Sequence, residues 1–159
     1  MLLPYLPGNR QRAAGLRTID ADAPNVRSEE ETVNEVIERY IACWNQADPG
    51  LRRKLIDETW AADASYTDPL GEAVGREAID ATIAAVQEQF PGFSFSLLGP
   101  VDSHHHQARF TWGFGPDGVE PVVVGFDVAV AGDDGRLATV LGFLDSASPD
   151  PAAPPKVPR

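Results

Sequence analysis

The carboxyl-terminal third of the chain constrains the fold most, because its apolar segments have the length of strands and no helical segment separates them. Four such segments follow one another: 93–98, 107–114, 121–130 and 137–144. Turn-forming clusters such as Pro116-Asp117-Gly118 divide them. Parallel strands need long crossover connections, usually helices, and this region has none. The sequence therefore predicts a mainly antiparallel sheet.

A helical segment lies near the start of the patterned part of the chain. Ser28 and Glu31 have the spacing of a capping box, and apolar residues then recur at helical spacing from Val33 to Trp44. The pattern predicts a helix over 29–45 whose apolar stripe faces a core.

A second helix, a strand and a third helix lie between the first helix and the late strands. Asp48 suits an N-cap and Pro49 the first position of a short helix ending near residue 60. A strand over 64–68 and a helix over 76–90 come next. The order ααβαββββ predicts an α+β fold, a cone-shaped domain of three helices packed on a curved, mainly antiparallel sheet that encloses an apolar pocket.

The two ends of the chain lack both periodicities. Residues 1–28 scatter prolines, glycines and charges, and five prolines follow residue 147. We expect a mostly disordered tail at 1–28, one domain over 29–146 and a proline-rich tail at 147–159.

Charge and cysteine content narrow the classes of partner and compartment. With 13 basic and 24 acidic residues, the net charge of -11 argues against nucleic acid and anionic membranes, which bind through lysine and arginine. The longest apolar run, 122–130, is far shorter than a membrane span. Cys43, the only cysteine, cannot close an intrachain disulfide, and the first residues lack the order of a secretory signal, so we expect a cytoplasmic protein.

Asp127 is the most informative polar residue, since it interrupts the apolar strand 122–130, which reads as buried on both faces. Burying an unpaired carboxylate costs several kcal/mol, so such a group finds a cation, binds a metal or takes up a proton. The structural alternatives are a place on an edge strand, or hydrogen bonds from the backbone or from Arg109.

Two further polar residues point toward the same pocket. Asp68 ends the first strand on the same face as Tyr66, although aspartate before proline also commonly opens a turn. Tyr40 lies on the apolar stripe of the first helix, which directs its hydroxyl inward.

Three segments carry a family resemblance. They are Arg39-Tyr40-Ile41-Ala42 with Asn45 and Asp48 behind it, Ala64 through Asp68-Pro69-Leu70-Gly71, and Gly125-Phe126-Asp127 followed by Gly135-Arg136-Leu137. In order and spacing the chain resembles bacterial ketosteroid isomerases over residues 33–144, and thus the nuclear-transport-factor-two-like superfamily, which includes the SnoaL-like proteins.

The resemblance implies catalytic roles for three residues. Tyr40 would donate a hydrogen bond to the substrate oxygen, Asp68 would move the proton, and Asp127 would be a neutral second donor. SnoaL-like polyketide cyclases use an acid from the same late strand for an aldol closure, which also passes through an enolate. The chain departs from some isomerases at Thr82 and Ile83, where those enzymes have a tyrosine that extends the donor network.

The expected function is therefore enolisation of a hydrophobic carbonyl compound by general acid and base catalysis, as in a double-bond isomerase or a polyketide cyclase. Aromatic residues are expected to line the substrate site: Trp44, Trp60, Tyr66, Phe90, Phe110 and Trp112. The alternative is a protein of the same fold that binds a small ligand, or serves as a dimeric scaffold, without catalysis. By analogy with the family we expect a homodimer.

A histidine cluster is the remaining candidate site. Asp102, His104 and His106 alternate and would share one face of an extended segment. A solvent-exposed turn is the simpler interpretation and no fourth ligand is identifiable, so we expect neither a metal nor another cofactor. Because a relative with this fold, scytalone dehydratase, uses histidines with an aspartate, the cluster is also the best pointer to a dehydratase, the third functional option.

Overall fold

The computed structural model describes residues 29–147, which form three helices and seven strands. The helices are α1 (Glu29–Asn45), α2 (Pro49–Thr59) and α3 (Arg76–Gln89). The strands are β1 (Trp60–Asp68), β2 (Gly71–Val74), β3 (Phe93–Leu97), β4 (Asp102–His104), β5 (Gln107–Pro116), β6 (Val123–Ala131) and β7 (Leu137–Ala147). The expected tails, apart from Ala147, and the capping box that begins at Ser28 lie outside the described residues.

All seven strands belong to one sheet. The strand order is β2-β1-β7-β6-β5-β3, and β4 pairs with β5 next to β3. Every pair is antiparallel except β1 with β7, which run parallel; between them the chain passes through α3 and five strands before it returns beside β1. The prediction of an α+β cone, with three helices on a curved and mainly antiparallel sheet, is confirmed.

The structure adds two short strands to the predicted order. Residues 71–74, between the predicted first strand and the predicted third helix, form β2 against β1, and residues 102–104, interpreted above as part of a turn, form β4 against β5. Strand β1 begins directly after α2, at Trp60, because the helix ends there with Trp60 already extended. Neither short strand has a strand pattern in its own sequence. Each is stabilised by pairing with a longer neighbour.

Strand β6 is buried on one face only, which corrects the prediction that both faces are buried. Its residues alternate strictly, with Asp127 and Ala129 buried and Phe126 and Val128 half-exposed. The helices cover the inner face, so Asp127 points toward the core.

Polar contacts attach the helices to one another and to the sheet. Arg52 on α2, only 5% exposed, donates to the Asp80 carboxylate of α3 at 2.6 Å and to the Gln87 side chain at 3.0 Å. At the end of α1, Asn45 exchanges two hydrogen bonds of 2.8 Å with the backbone of Phe95 on β3. These contacts join α2 to α3 and the end of α1 to β3. Within residues 29–147, no helix combines the length and apolar character needed to cross a bilayer.

Candidate functional site

A cavity of about 210 Å³ lies between α1, α3 and the inner face of the sheet. Apolar side chains form most of its wall, and the two acids Asp68 and Asp127 are its only charged groups among the described residues. Its aromatic rings include those of Tyr40, Trp44, Tyr66, Phe90, Phe95 and Trp112. Such a wall favours an apolar ligand with few polar contacts.

Asp127 lies in the cavity wall with both carboxyl oxygens engaged. The Tyr40 hydroxyl donates to Oδ2 at 2.6 Å, and the Trp112 indole N–H donates to Oδ1 at 2.7 Å. The residue is 1% exposed, and no lysine, arginine or histidine among the described residues lies in the wall around it. Two donors thus compensate a buried acid that has no counter-charge in the wall.

Burial has the largest effect on the pKa of Asp127. It raises the pKa of Asp127 to about 6, against a lowering by the hydrogen bonds from Tyr40 and Trp112, while the like charge of Asp68 raises it further. Burial and the neighbouring Asp127 charge raise the pKa of Tyr40 well above its ordinary value, so this residue stays a neutral donor. At neutral pH Asp127 is therefore mainly a carboxylate, whereas the family resemblance implied a neutral donor.

The indole of Trp112 reaches Asp127 because residue 125 is glycine. Trp112 on β5 is paired with Gly125 on β6, and a Cβ at Gly125 would lie 2.0 Å from the indole Cζ2. The ring therefore lies directly on the β6 backbone, with its N–H directed along the strand to Asp127. Phe95 packs against the same indole with ring centroids 5.3 Å apart.

Asp68 lies across β7 from Asp127, at the end of β1, where it closes the β1–β2 turn. Its Oδ1 accepts from the backbone N–H groups of Leu70 and Gly71 at 2.8 and 3.0 Å, and its Oδ2 accepts from the Tyr66 hydroxyl at 2.9 Å. The turn-forming alternative seen in the sequence therefore holds, and Asp68 also lines the cavity. Burial and the charges of Asp68 and Asp127 raise the pKa of Tyr66 well above its ordinary value.

Gly142 on β7 separates the two acids. A Cβ at this position would lie 3.1 Å from Oδ1 of Asp127 and 3.2 Å from Cβ of Asp68. Any larger residue would press on both acids, so a glycine here lets them share one wall of the cavity.

The structure brings Tyr40, Asp68 and Asp127 to one cavity. Among the residues expected to bind substrate, Trp44, Tyr66, Phe90 and Trp112 line it as well.

Trp60 and Phe110 do not line the cavity. They pack against the Tyr40 ring, each with ring centroids 5.6 Å away, and Trp60 is fully buried. Both were assigned to substrate binding on aromatic character alone, which cannot distinguish a wall from the layer behind it.

Several lining residues carry no sequence signal that separates them from ordinary core. Phe95 and Val86 belong to apolar patterns, while Leu70 is a turn residue that reaches the cavity mouth, 71% exposed. The glycines 125 and 142 became recognisable only through strand register.

The histidine cluster lies away from the cavity. His104 ends β4, His105 and His106 form the turn to β5, and all three are exposed. Asp102 instead pairs with Arg109 at 2.8 Å. No group of three or more potential metal ligands occurs within residues 29–147, and the feature that pointed to a dehydratase is not part of the site.

A cone of three helices on a curved, mainly antiparallel sheet, with the buried Asp127 and the half-buried Asp68 in an apolar cavity, defines the nuclear-transport-factor-two-like fold. The model of the SnoaL-like domain matches residues 37–140. The chain therefore belongs to the SnoaL-like family.

Solved structures support this assignment. A candidate isomerase of the SnoaL-like family from Agrobacterium tumefaciens C58 is 35% identical, with 73% of this chain and 99% of that chain covered and a TM-score of 0.70. A candidate SnoaL-like polyketide cyclase from Jannaschia sp. CCS1 is 17% identical, covering 81% and 100% of the two chains, with a TM-score of 0.62. A SnoaL-like protein of unknown function from Burkholderia thailandensis E264 is 15% identical, covering 74% and 98%, with a TM-score of 0.59. The last two likenesses concern the fold alone, and no curated protein matches the chain significantly.

Proposed function

We propose that this protein binds a compact, uncharged, hydrophobic carbonyl compound and removes a proton from the carbon next to the carbonyl, with Asp127 as the general base. The observation that carries the proposal is a buried carboxyl in the wall of an apolar cavity, with a pKa raised to about 6. A base is most effective when its pKa approaches the working pH while its charged form still predominates.

The charge of the wall supports the choice of ligand class. Its only charged side chains among the described residues are the acids Asp68 and Asp127, so an anionic ligand would meet like charges without a counter-charge. A neutral ketone or enone avoids this repulsion and matches the aromatic wall.

The proposed step transfers one proton. The α C–H bond breaks, an O–H bond forms on Asp127, and the electron pair of the C–H bond moves into the enolate, leaving the negative charge on the substrate oxygen. As Asp127 loses its charge, the Tyr40 hydroxyl, 2.6 Å from Oδ2, is released and can donate a hydrogen bond to the substrate oxygen. Asp68 is the alternative base, but its three hydrogen bonds already hold it in the turn.

The enolate leads to either of two products. If the proton returns to another carbon, the product is a double-bond isomer and the enzyme is an isomerase. If the enolate carbon attacks a second carbonyl of the same molecule, the product is a ring closed by an aldol reaction and the enzyme is a cyclase. The name of the Agrobacterium relative, 35% identical to this chain, supports the first, while the Jannaschia structure, similar in fold alone, is named as a cyclase. Both reactions use the same base and need neither a metal nor another cofactor.

Exchange of α-hydrogens for deuterium tests the proposal without knowledge of the product. A bicyclic aromatic ketone such as 2-tetralone is incubated with protein in deuterated buffer, and the loss of its α-proton signal is followed by NMR. We expect exchange above the buffer rate for wild type, and a decrease of about 10²–10⁴-fold for Asp127→Asn. The matched variant Asp68→Asn should retain most of the activity. Equal rates for wild type and Asp127→Asn would refute Asp127 as the base.

A second candidate is ligand binding without turnover. One observation favours it: in the free protein the hydroxyls of Tyr40 and Tyr66 already donate to Asp127 and Asp68, not into the cavity. This candidate predicts saturable binding of the ketone, measured by calorimetry, with buffer-level exchange in wild type and both aspartate variants.

We also propose that the chain forms a homodimer through the outer face of the sheet. Phe126 on β6 is half-exposed and lies 6.4 Å, between ring centroids, from Phe143 on β7, which is 53% exposed beside the exposed Leu141. Apolar neighbours of this kind commonly mark an interface. Light scattering should give a dimer for wild type and a monomer for Phe126→Ser, whereas Leu51→Ser on α2 should remain dimeric. A monomeric wild type would exclude the dimer.

A further inference from the structure

We infer that Trp112 is a positioning residue that confines the exchangeable proton of Asp127 to Oδ2. Gly125, which has no side chain, leaves the space that the Trp112 indole occupies. For catalysis the inference rests on the proposed function, because it specifies which oxygen of Asp127 would accept the substrate proton. The hydrogen-bond geometry that carries it is independent of turnover.

The Trp112 indole fixes the role of one carboxyl oxygen of Asp127. An indole N–H can donate a hydrogen bond but cannot accept one. The Trp112 Nε1 lies 2.7 Å from Oδ1 of Asp127, so Oδ1 is an acceptor whether the carboxyl is charged or neutral. A proton on Oδ1 would face the indole proton and break this contact.

The other carboxyl oxygen of Asp127, Oδ2, faces the Tyr40 hydroxyl. Oδ2 lies 2.6 Å from the Tyr40 hydroxyl, which donates to a carboxylate and accepts from a carboxylic acid after rotating its proton. Only Oδ2 can therefore change its protonation without losing a hydrogen bond. When Tyr40 turns toward a bound carbonyl, the bond from Trp112 remains and holds the carboxyl plane.

The indole of Trp112 stays in register with Asp127 because residue 125 has no side chain. Trp112 lies opposite Gly125, and a Cβ there would come within 2.0 Å of Cζ2, 2.4 Å of Cε2 and 2.5 Å of Cη2. Real Cβ atoms do not approach ring carbons so closely, so any side chain at residue 125 must move the indole or the strand. Phe95 limits movement of the ring on another side.

The titration of Asp127 tests this inference directly. Carbon NMR of protein labelled at the aspartate carboxyl carbon, with the signal assigned through Asp127→Asn, gives the pKa in wild type, Trp112→Phe and Gly125→Ala. Removing one donor from a buried carboxylate should raise the Asp127 pKa by about 1–2 units in Trp112→Phe. The other titratable groups facing Asp127, which are Tyr40 from α1 and Asp68 and Tyr66 from β1, are unchanged in both variants.

Trp60→Phe is the matched control. It removes another buried indole N–H, from the layer behind the Tyr40 ring, and the Trp60 Nε1 has no hydrogen-bond partner among the described residues. Its Asp127 pKa should equal that of wild type.

The possible results separate the claims. An unchanged or lower Asp127 pKa in Trp112→Phe overturns the inference. An unchanged Asp127 pKa in folded Gly125→Ala overturns the role given to Gly125. If Gly125→Ala does not fold, Trp112→Phe decides alone. Buffer-level ketone exchange together with the expected pKa rise would reject the proposed function and leave the positioning of the carboxyl intact.

Discussion

Replacing Asp127 by asparagine should stabilise the free protein at neutral pH. Asparagine keeps the shape, accepts from the Trp112 indole through its oxygen and donates to the Tyr40 oxygen through its amide, while the buried charge disappears. The Asp127 pKa of about 6 in the folded protein exceeds the ordinary value of 3.8 by about two units, which corresponds to about 3 kcal/mol. This free energy opposes folding when the group is charged.

The sign follows from proton binding. Between pH 4 and 6 the folded state binds more protons at this residue than the unfolded state, so the stability of wild type falls as pH rises through that window. The cost is absent below the unfolded pKa and fully present above the folded one. From pH 5 to pH 7 the advantage of Asp127→Asn should therefore grow by about 1 kcal/mol, and by pH 8 it should level off.

Urea unfolding of both proteins at several pH values between 5 and 8 measures this difference. The contributions of the other acidic residues to the pH dependence of stability are shared by both proteins and largely cancel in the comparison. Asp133→Asn, at an exposed residue, controls for the loss of one surface charge. An advantage of Asp127→Asn that does not change with pH, or a wild type more stable at pH 7, would refute the reasoning.

Three further predictions address the surroundings of the site. Asp68→Asn removes the like charge that raises the Asp127 pKa, so NMR titration should show a lower value; a rise would contradict this electrostatic coupling. Arg52→Met leaves the Asp80 carboxylate without its 2.6 Å partner and should cost about 3 kcal/mol in urea unfolding, whereas a change near zero would show that the pair is dispensable. Trp60→Phe should cost about 1–2 kcal/mol of stability yet leave ketone affinity in calorimetry unchanged, because Trp60 lies behind the cavity wall; a large loss of affinity would return it to the wall.

The architecture was predictable because its main elements carry local signals. The stripe from Val33 to Trp44 specifies a helix with one buried face, and Asp48 with Pro49 specifies where α2 begins. The late strands are long and separated by turn residues, so their antiparallel pairing follows from chain connectivity. By contrast β2 and β4 are strands only because β1 and β5 lie beside them.

The candidate site was only partly predictable. An aspartate inside an apolar strand signals a special environment, and Asp127 is indeed buried at the cavity. Which donors face it depends on register across two strands and a helix, and no local pattern encodes that. Burial raises the pKa of Asp127 to about 6, and the hydrogen bond from Trp112, whose indole needs a glycine at residue 125, acts against that rise.

Titration of Asp127, followed by NMR of its carboxyl carbon in unliganded wild-type protein, tests the central claim most directly. The claim is that burial raises the pKa of this doubly hydrogen-bonded acid to near the neutral range. We predict a midpoint near pH 6. A midpoint near 4, the range of an ordinary exposed aspartate, would contradict the account and remove the basis for treating this residue as the base.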